Sequence, residues 1–137
     1  MTMTTNSTPP AQENLTVVCI DDEPEMIELI RLVLGRRNFQ FVGATRGREG
    51  LQLVRQLNPH LVLLDLMMPD MDGWEIYQQM KTSEELKDIP VIIISAKPES
   101  IDKALGFHIA EEDAYITKPF GPNELLTSIN TVLSRKL

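Results

Sequence analysis

Two kinds of segment alternate along this chain: short runs that are apolar throughout, and longer stretches where apolar residues recur every third or fourth position. The clearest run is Leu61-Val62-Leu63-Leu64, which passes without a polar break into Asp65. Bounded by turn residues, it reads as a strand buried on both faces or as a buried helix segment, and periodicity alone does not separate the two. Leu15–Ile20 is short and β-branched, residues 39–45 and 90–95 are similar, and Ala114–Thr117 is a shorter version. Between these runs the period lengthens. Met26, Leu29, Ile30, Val33 and Leu34 outline a first helix, with Pro24 in its first turn and Gly35-Arg36-Arg37 at its close. Leu51, Val54 and Leu57, with Leu53, give a second helix that stops before Pro59, and residues 74–80 give a third. Ile101, Ala104, Leu105 and His108 outline a fourth. Leu125, Ile129, Val132 and Leu133 form the stripe of a fifth, opened by Pro122 and Asn123.

Strand followed by helix, five times over, predicts an α/β fold: a doubly wound five-stranded parallel sheet with helices on both faces and right-handed crossovers. The 137 residues fit one domain, expected over 15–137, and residues 1–14 read as a flexible polar tail.

Composition narrows the function. With 42% hydrophobic and 24% charged residues the chain is ordinary for a globular protein, and a net charge of −7 argues against direct nucleic-acid binding. Cys19 is the single cysteine, so there is no disulfide framework. The opening residues lack the basic and apolar pattern of a signal peptide, so none is expected. No apolar run approaches the roughly 20 residues of a membrane span, so membrane insertion is not expected and the cytoplasm is the expected location. The sequons at Asn6 and Asn14 are then coincidental. His60 and His108 lack ligand spacing and read as surface or boundary residues.

The chemistry collects at the strand ends. Parallel strands place all their C-terminal ends on one edge, where open α/β sheets keep their ligands. Strand one ends in Asp21-Asp22, strand three in Asp65, strand four in Ser95 and strand five at Lys118. Read singly, each has a plain structural role: the acids serve a helix dipole, Ser95 a helix cap, Lys118 a solvated strand end. Together, three carboxylates repel one another unless a cation neutralises them, and a hard, oxygen-seeking ion such as Mg²⁺ is the natural answer. With a hydroxyl and an ammonium alongside, a phosphoryl group could sit on Asp65.

These residues carry a resemblance. The pair Asp21-Asp22, the stretch Asp65-Leu66-Met67-Met68-Pro69-Asp70-Met71-Asp72-Gly73, the pair Ser95-Ala96, and Tyr115-Ile116-Thr117-Lys118-Pro119-Phe120 follow in order the motifs of the receiver domain of two-component response regulators. The resemblance spans about residues 15–137 and implies the flavodoxin-like strand order 2-1-3-4-5 with five helices. It implies Asp65 as phosphoacceptor, with Mg²⁺ held directly by Asp22, mainly through water by Asp21, and further by Asp65 and the Met67 backbone carbonyl. Lys118 would pair with the phosphoryl oxygens, Ser95 would hydrogen-bond them, and Tyr115 would be the aromatic switch residue. A cis Lys118-Pro119 peptide is implied as well. The partners implied are a histidine kinase or phosphotransfer protein and a downstream protein target that meets the face of helix four, strand five and helix five. A homodimer is compatible with that picture. The expectation is a single-domain response regulator that catalyses only its own phosphorylation and dephosphorylation.

The chain departs from the family at Glu111-Glu112-Asp113-Ala114, where Gly-Ala-Asp-Asp is usual, so the turn before strand five is expected to be reshaped. Met67 is apolar where attacking water must pass, and slow dephosphorylation is expected. Two rival readings use the same residues: a phosphorylation-independent scaffold, and an aspartyl-nucleophile phosphatase. The second wants an acid two residues after the nucleophile, where this chain has Met67.

Overall fold

Val18, Ile20, Val62, Leu64, Val91 and Ile93 alternate along their strands with Val17, Cys19, Leu61, Leu63, Ile92 and Ile94, and both sets are buried. That period of two feeds two hydrophobic layers, one on each face of a single sheet. The computed structural model describes residues 15–37, 39–96 and 113–136. In it the sheet is built from β1 (Leu15–Ile20), β2 (Phe39–Ala44), β3 (Leu61–Asp65), β4 (Val91–Ser95) and β5 (Ala114–Thr117). All pairs are parallel and the order is β2-β1-β3-β4-β5, as expected. The described helices are α1 (Pro24–Leu34), α2 (Gly47–Leu57), α3 (Gly73–Thr82) and α4 (Pro122–Lys136), the last being the fifth expected from the sequence. The helix expected around Ile101, the histidine at 108 and the Glu111-Glu112 turn lie outside the described residues, as does the tail over 1–14.

α2 and α3 cover one face with Leu51, Val54, Ile76 and Met80, and α1 and α4 cover the other with Ile27, Ile30, Leu34, Leu125, Ile129 and Val132. Each of these large side chains, fully withdrawn from water, contributes roughly 1.5–3 kcal/mol of transfer free energy. Burial pushes the Cys19 thiol up, so it behaves as a small apolar residue.

Several details correct the pattern reading. Ile27, not Leu29, joins the buried stripe of α1, and Leu29 is 43% exposed. Leu57, expected on the core side of α2, also faces outward. Gly35 does not stop α1 by a left-handed turn; its φ of −60° is helical, and the chain continues through a 3-10 turn over Gly35–Arg37. α2 instead ends at Asn58, which takes the left-handed conformation at φ 47°. His60 is exposed, as expected, and its Nδ1 accepts the Thr16 N–H at 3.0 Å, pinning the start of β3 to β1.

Candidate functional site

Register decides which side chains meet. Ile20 pairs with Leu64, so Asp21 and Asp65 stand abreast at the ends of β1 and β3. Asp65 pairs with Ile94, and Ser95 pairs with Thr117, so Ser95 and Lys118 follow on the next two strands. The hydrogen-bond ladder runs one rung past the strands, with the N–H groups of Asp21, Leu66 and Lys118 donating to the carbonyls of Ala44, Ile94 and Ser95. The edge is therefore held in line by backbone as far as the functional residues themselves.

Asp21, Asp22 and Asp65 each offer an oxygen, and these oxygens lie within 4.8 Å of one another. Asp21 is fully buried, Asp65 nearly so and Asp22 partly so. Lys118 reaches in from the end of β5, with Nζ 3.0 Å from Asp21 Oδ2, 3.0 Å from Glu23 Oε1 and 3.8 Å from Asp65 Oδ2. The Lys118-Pro119 peptide is cis, as expected. The Glu23 N–H donates to Asp21 Oδ1 at 2.9 Å, and the Met67 N–H donates to Asp65 Oδ1 at 3.1 Å.

Electrostatics follow from this packing. Burial, and then the charge of Asp21, push the Asp65 carboxyl up to about 7, although the Met67 N–H and Lys118 pull the other way. Burial also raises Asp21, opposed by its bonds from the Glu23 N–H and Lys118. For Lys118, burial acts to lower the pKa, but the hydrogen bonds to Asp21 and Glu23 outweigh it and the ammonium is held above its ordinary range. One ammonium does not neutralise three carboxylates. The donors are all oxygen and carry excess negative charge, which fits a hard divalent cation.

The loop from β3 to α3 is built to hold Asp65. A Cβ on Gly73 would come within 2.5 Å of both the Asp65 carbonyl oxygen and Leu66 Cα, so only glycine lets α3 begin this close to the strand end. The Gly73 N–H donates to the Leu66 carbonyl at 3.0 Å, and Asp72 caps α3 by accepting from the Trp74 N–H. Met67 stands out of this loop, 46% exposed, beside the carboxylates. Ser95 is buried at the end of β4, and Tyr115 points outward from β5 with 42% exposure.

Two contributors went unread in the sequence. Glu23, next to the acid pair, is a partner of Lys118. Asp113 is buried at the entry to β5, where it accepts from the Tyr77 hydroxyl at 2.6 Å, the Val91 N–H at 2.7 Å and Lys81 Nζ at 3.2 Å. Lys81 also donates to the carbonyls of Lys87 and Ile89, so α3, β4 and β5 are tied together at the edge opposite the carboxylates. Local sequence gives no sign of it, because the partners of Asp113 lie 22–36 residues away.

Residues 17–130 match the family described as the response regulator receiver domain. Among characterised relatives, the response regulator GtcR of Aneurinibacillus migulanus is 38% identical over 88% of this chain and 48% of its own length. The DNA-binding dual master transcriptional regulator RpaA of Synechocystis sp. is 35% identical over 87% of this chain and 49% of its own. The chain thus spans about half the length of the curated relatives it matches. Of solved structures, a putative response regulator from Chloroflexus aurantiacus superposes with a TM-score of 0.79 at 26% identity, covering 89% of this chain and 99% of that one. The N-terminal domain of a response regulator receiver protein from Methanoculleus marisnigri gives 0.65 at 34% identity over 86% and 95%. Among the described residues no helix is long and apolar enough to cross a membrane.

Proposed function

The chain belongs to the response regulator receiver family, and on that footing we propose that Asp65 accepts a phosphoryl group from the phosphohistidine of a histidine kinase or phosphotransfer protein. The observation that carries this reading is the convergence of Asp21, Asp22 and Asp65 within 4.8 Å, with the Lys118 ammonium 3.8 Å from the Asp65 carboxylate. An Asp65 oxygen attacks phosphorus, the P–N bond breaks, and its electron pair leaves with the donor imidazole. Asp22 directly, Asp21 mainly through water, and Asp65 and the Met67 carbonyl would hold Mg²⁺, which when bound would offset the negative charge gathered in the transfer. Lys118 turns from Asp21 toward the phosphoryl oxygens, and Ser95 donates its hydroxyl to them. Met67 keeps ordered water away from the acyl phosphate, so hydrolysis is slow. Beyond its own phosphorylation and dephosphorylation the domain turns over no substrate.

The readout is a population shift of the face that includes β5 and α4, with Tyr115 leaving its outward position as Ser95 engages the phosphate. That face meets a protein partner; a chain of net charge −7 is poorly suited to nucleic-acid phosphates itself. The test is the intact mass of the protein after incubation with Mg²⁺ and a small phosphodonor such as acetyl phosphate. One added phosphoryl group on the wild type and none on Asp65→Asn is the expected result; an unmodified wild type overturns the reading.

A further inference from the structure

The N-terminus of α2 is capped from outside its own chain segment. Residue 46, at the position where Ser, Thr, Asp or Asn would ordinarily accept from the first helical N–H groups, is arginine, and its side chain makes no capping bond. The acceptor comes instead from the middle of the loop between β3 and α3. Both carboxylate oxygens of Asp70 lie 3.0 Å from the Gly47 nitrogen, and Oδ2 lies 3.4 Å from that of Arg48. These N–H bonds hold the Asp70 carboxyl below its usual range. The seat is also shaped. A Cβ on Gly47 would come within 2.9 Å of Met71 Cβ and of Ile76 Cδ1, so the loop rests directly on the first residue of α2. Pro69 and Asp70, together with Asp22, Thr45 and Arg46, line an open cleft of about 550 Å³ beside the carboxylates.

We propose that Asp70 is a positioning residue for the metal site: it latches the loop to α2 and so fixes the Met67 carbonyl against Asp65. This rests on the function proposed above. The two ends of the loop are already held, by the Met67 N–H on Asp65 and by Gly73 on Leu66. Met68 and Met71 of its middle pack into the core, while Pro69 and Asp70 between them are exposed, and the Asp70 carboxylate supplies the polar tie to α2. The helix gains its missing cap from the same contact, so stability and site geometry share one side chain and must be separated by experiment.

Four full-length variants separate them: Asp70→Ala, Asp70→Asn, Arg46→Asn, and the double variant Asp70→Ala/Arg46→Asn. Mg²⁺ affinity is read by calorimetry, thermal midpoint by Trp74 fluorescence, and loop order by amide exchange over 66–72 in the metal-free protein. Asp70→Ala weakens Mg²⁺ about tenfold, as losses of groups that support metal ligands do, and speeds exchange in the loop. Its midpoint falls by a few degrees, the size of a lost cap. Asp70→Asn gives up the charge but keeps an acceptor for Gly47, and holds most of the affinity. The double variant regains a cap within α2 and hence its midpoint, while loop exchange stays fast and Mg²⁺ stays weak relative to Arg46→Asn alone.

Unchanged Mg²⁺ affinity in Asp70→Ala overturns the latch, as does full recovery of affinity in the double variant. Equal weakening by Asn and Ala reduces the effect to charge and overturns it too. A wild type that binds no Mg²⁺ overturns the proposed function itself, an outcome distinct from the others.

Discussion

Replacing Asp65 with asparagine should stabilise the metal-free protein, and only at high pH. The Asp65 carboxyl moves from an ordinary 3.8 to about 7 because it is buried next to Asp21. The unfolded chain releases this proton near the lower value and the folded chain near the upper one. Between the two the folded state holds more protons, so stability falls as pH rises through that window. Fully developed above pH 7, the penalty is about 4 kcal/mol at most, each pKa unit being worth about 1.4 kcal/mol. Asparagine removes the charge and keeps an oxygen for the Met67 N–H bond, so little is lost in exchange. Urea unfolding in the presence of a chelator, followed through Trp74, measures the difference. With a urea dependence of about 1–3 kcal/mol per molar, that ceiling corresponds to Asp65→Asn unfolding up to about 1–4 M later than wild type at pH 8, and together with it at pH 4. Mg²⁺ at a hundred times its Kd should then return about 2.7 kcal/mol to the wild type. Equal midpoints at pH 8, or a gap that persists at pH 4, would refute the argument that burial beside Asp21 strains this carboxylate.

Three other outcomes follow from the same contacts. Asp113→Ala leaves the Lys81 ammonium and the Val91 N–H without their buried acceptor, and should cost about 3–5 kcal/mol in urea unfolding, against about 1 kcal/mol for Tyr77→Phe. Gly73→Ala drives a Cβ into the Asp65 carbonyl and Leu66, and should cost about 1–3 kcal/mol while lowering phosphoryl uptake measured by intact mass. If the 46% exposed Met67 shields the acyl phosphate proposed on Asp65, the purified phosphoprotein should decay over minutes or longer in a mass time course, and a half-life of seconds would count against that role.

Much of this was legible in the sequence because burial leaves a local trace. Leu61–Leu64 and Ile92–Ile94 are apolar without a break, and they became central strands closed off on both faces by helices. The polar residue ending each strand then lay on one edge by topology alone, which is why Asp21, Asp65, Ser95 and Lys118 could be assembled across almost a hundred residues of chain. Helix faces were less well resolved. In α1, Ile27 and Leu29 stand on nearly opposite sides of the helix, about 160° apart, but both are apolar, so residue type did not choose between the two faces. The packing of β2 did: Ile27 lies against Gly43, where a Cβ would come within 2.5 Å of Ile27 Cγ2. The contacts through Asp70 and Asp113 left no trace at all, since a surface-type acid looks the same whether it faces water or a helix terminus from another part of the chain. Gly73 serves close approach rather than a left-handed turn: no described glycine has a positive φ.

The central claim is that Asp65 is the residue that carries the phosphoryl group, and chemical mapping tests it most directly. Incubation with Mg²⁺ and acetyl phosphate, followed by borohydride, reduces an aspartyl phosphate to homoserine, which peptide mass mapping then places in the chain. Homoserine at position 65, formed with Mg²⁺ and lost when the metal is chelated, is the result predicted here. Homoserine at another acid, or none in a protein shown to be folded and bound to Mg²⁺, would contradict it.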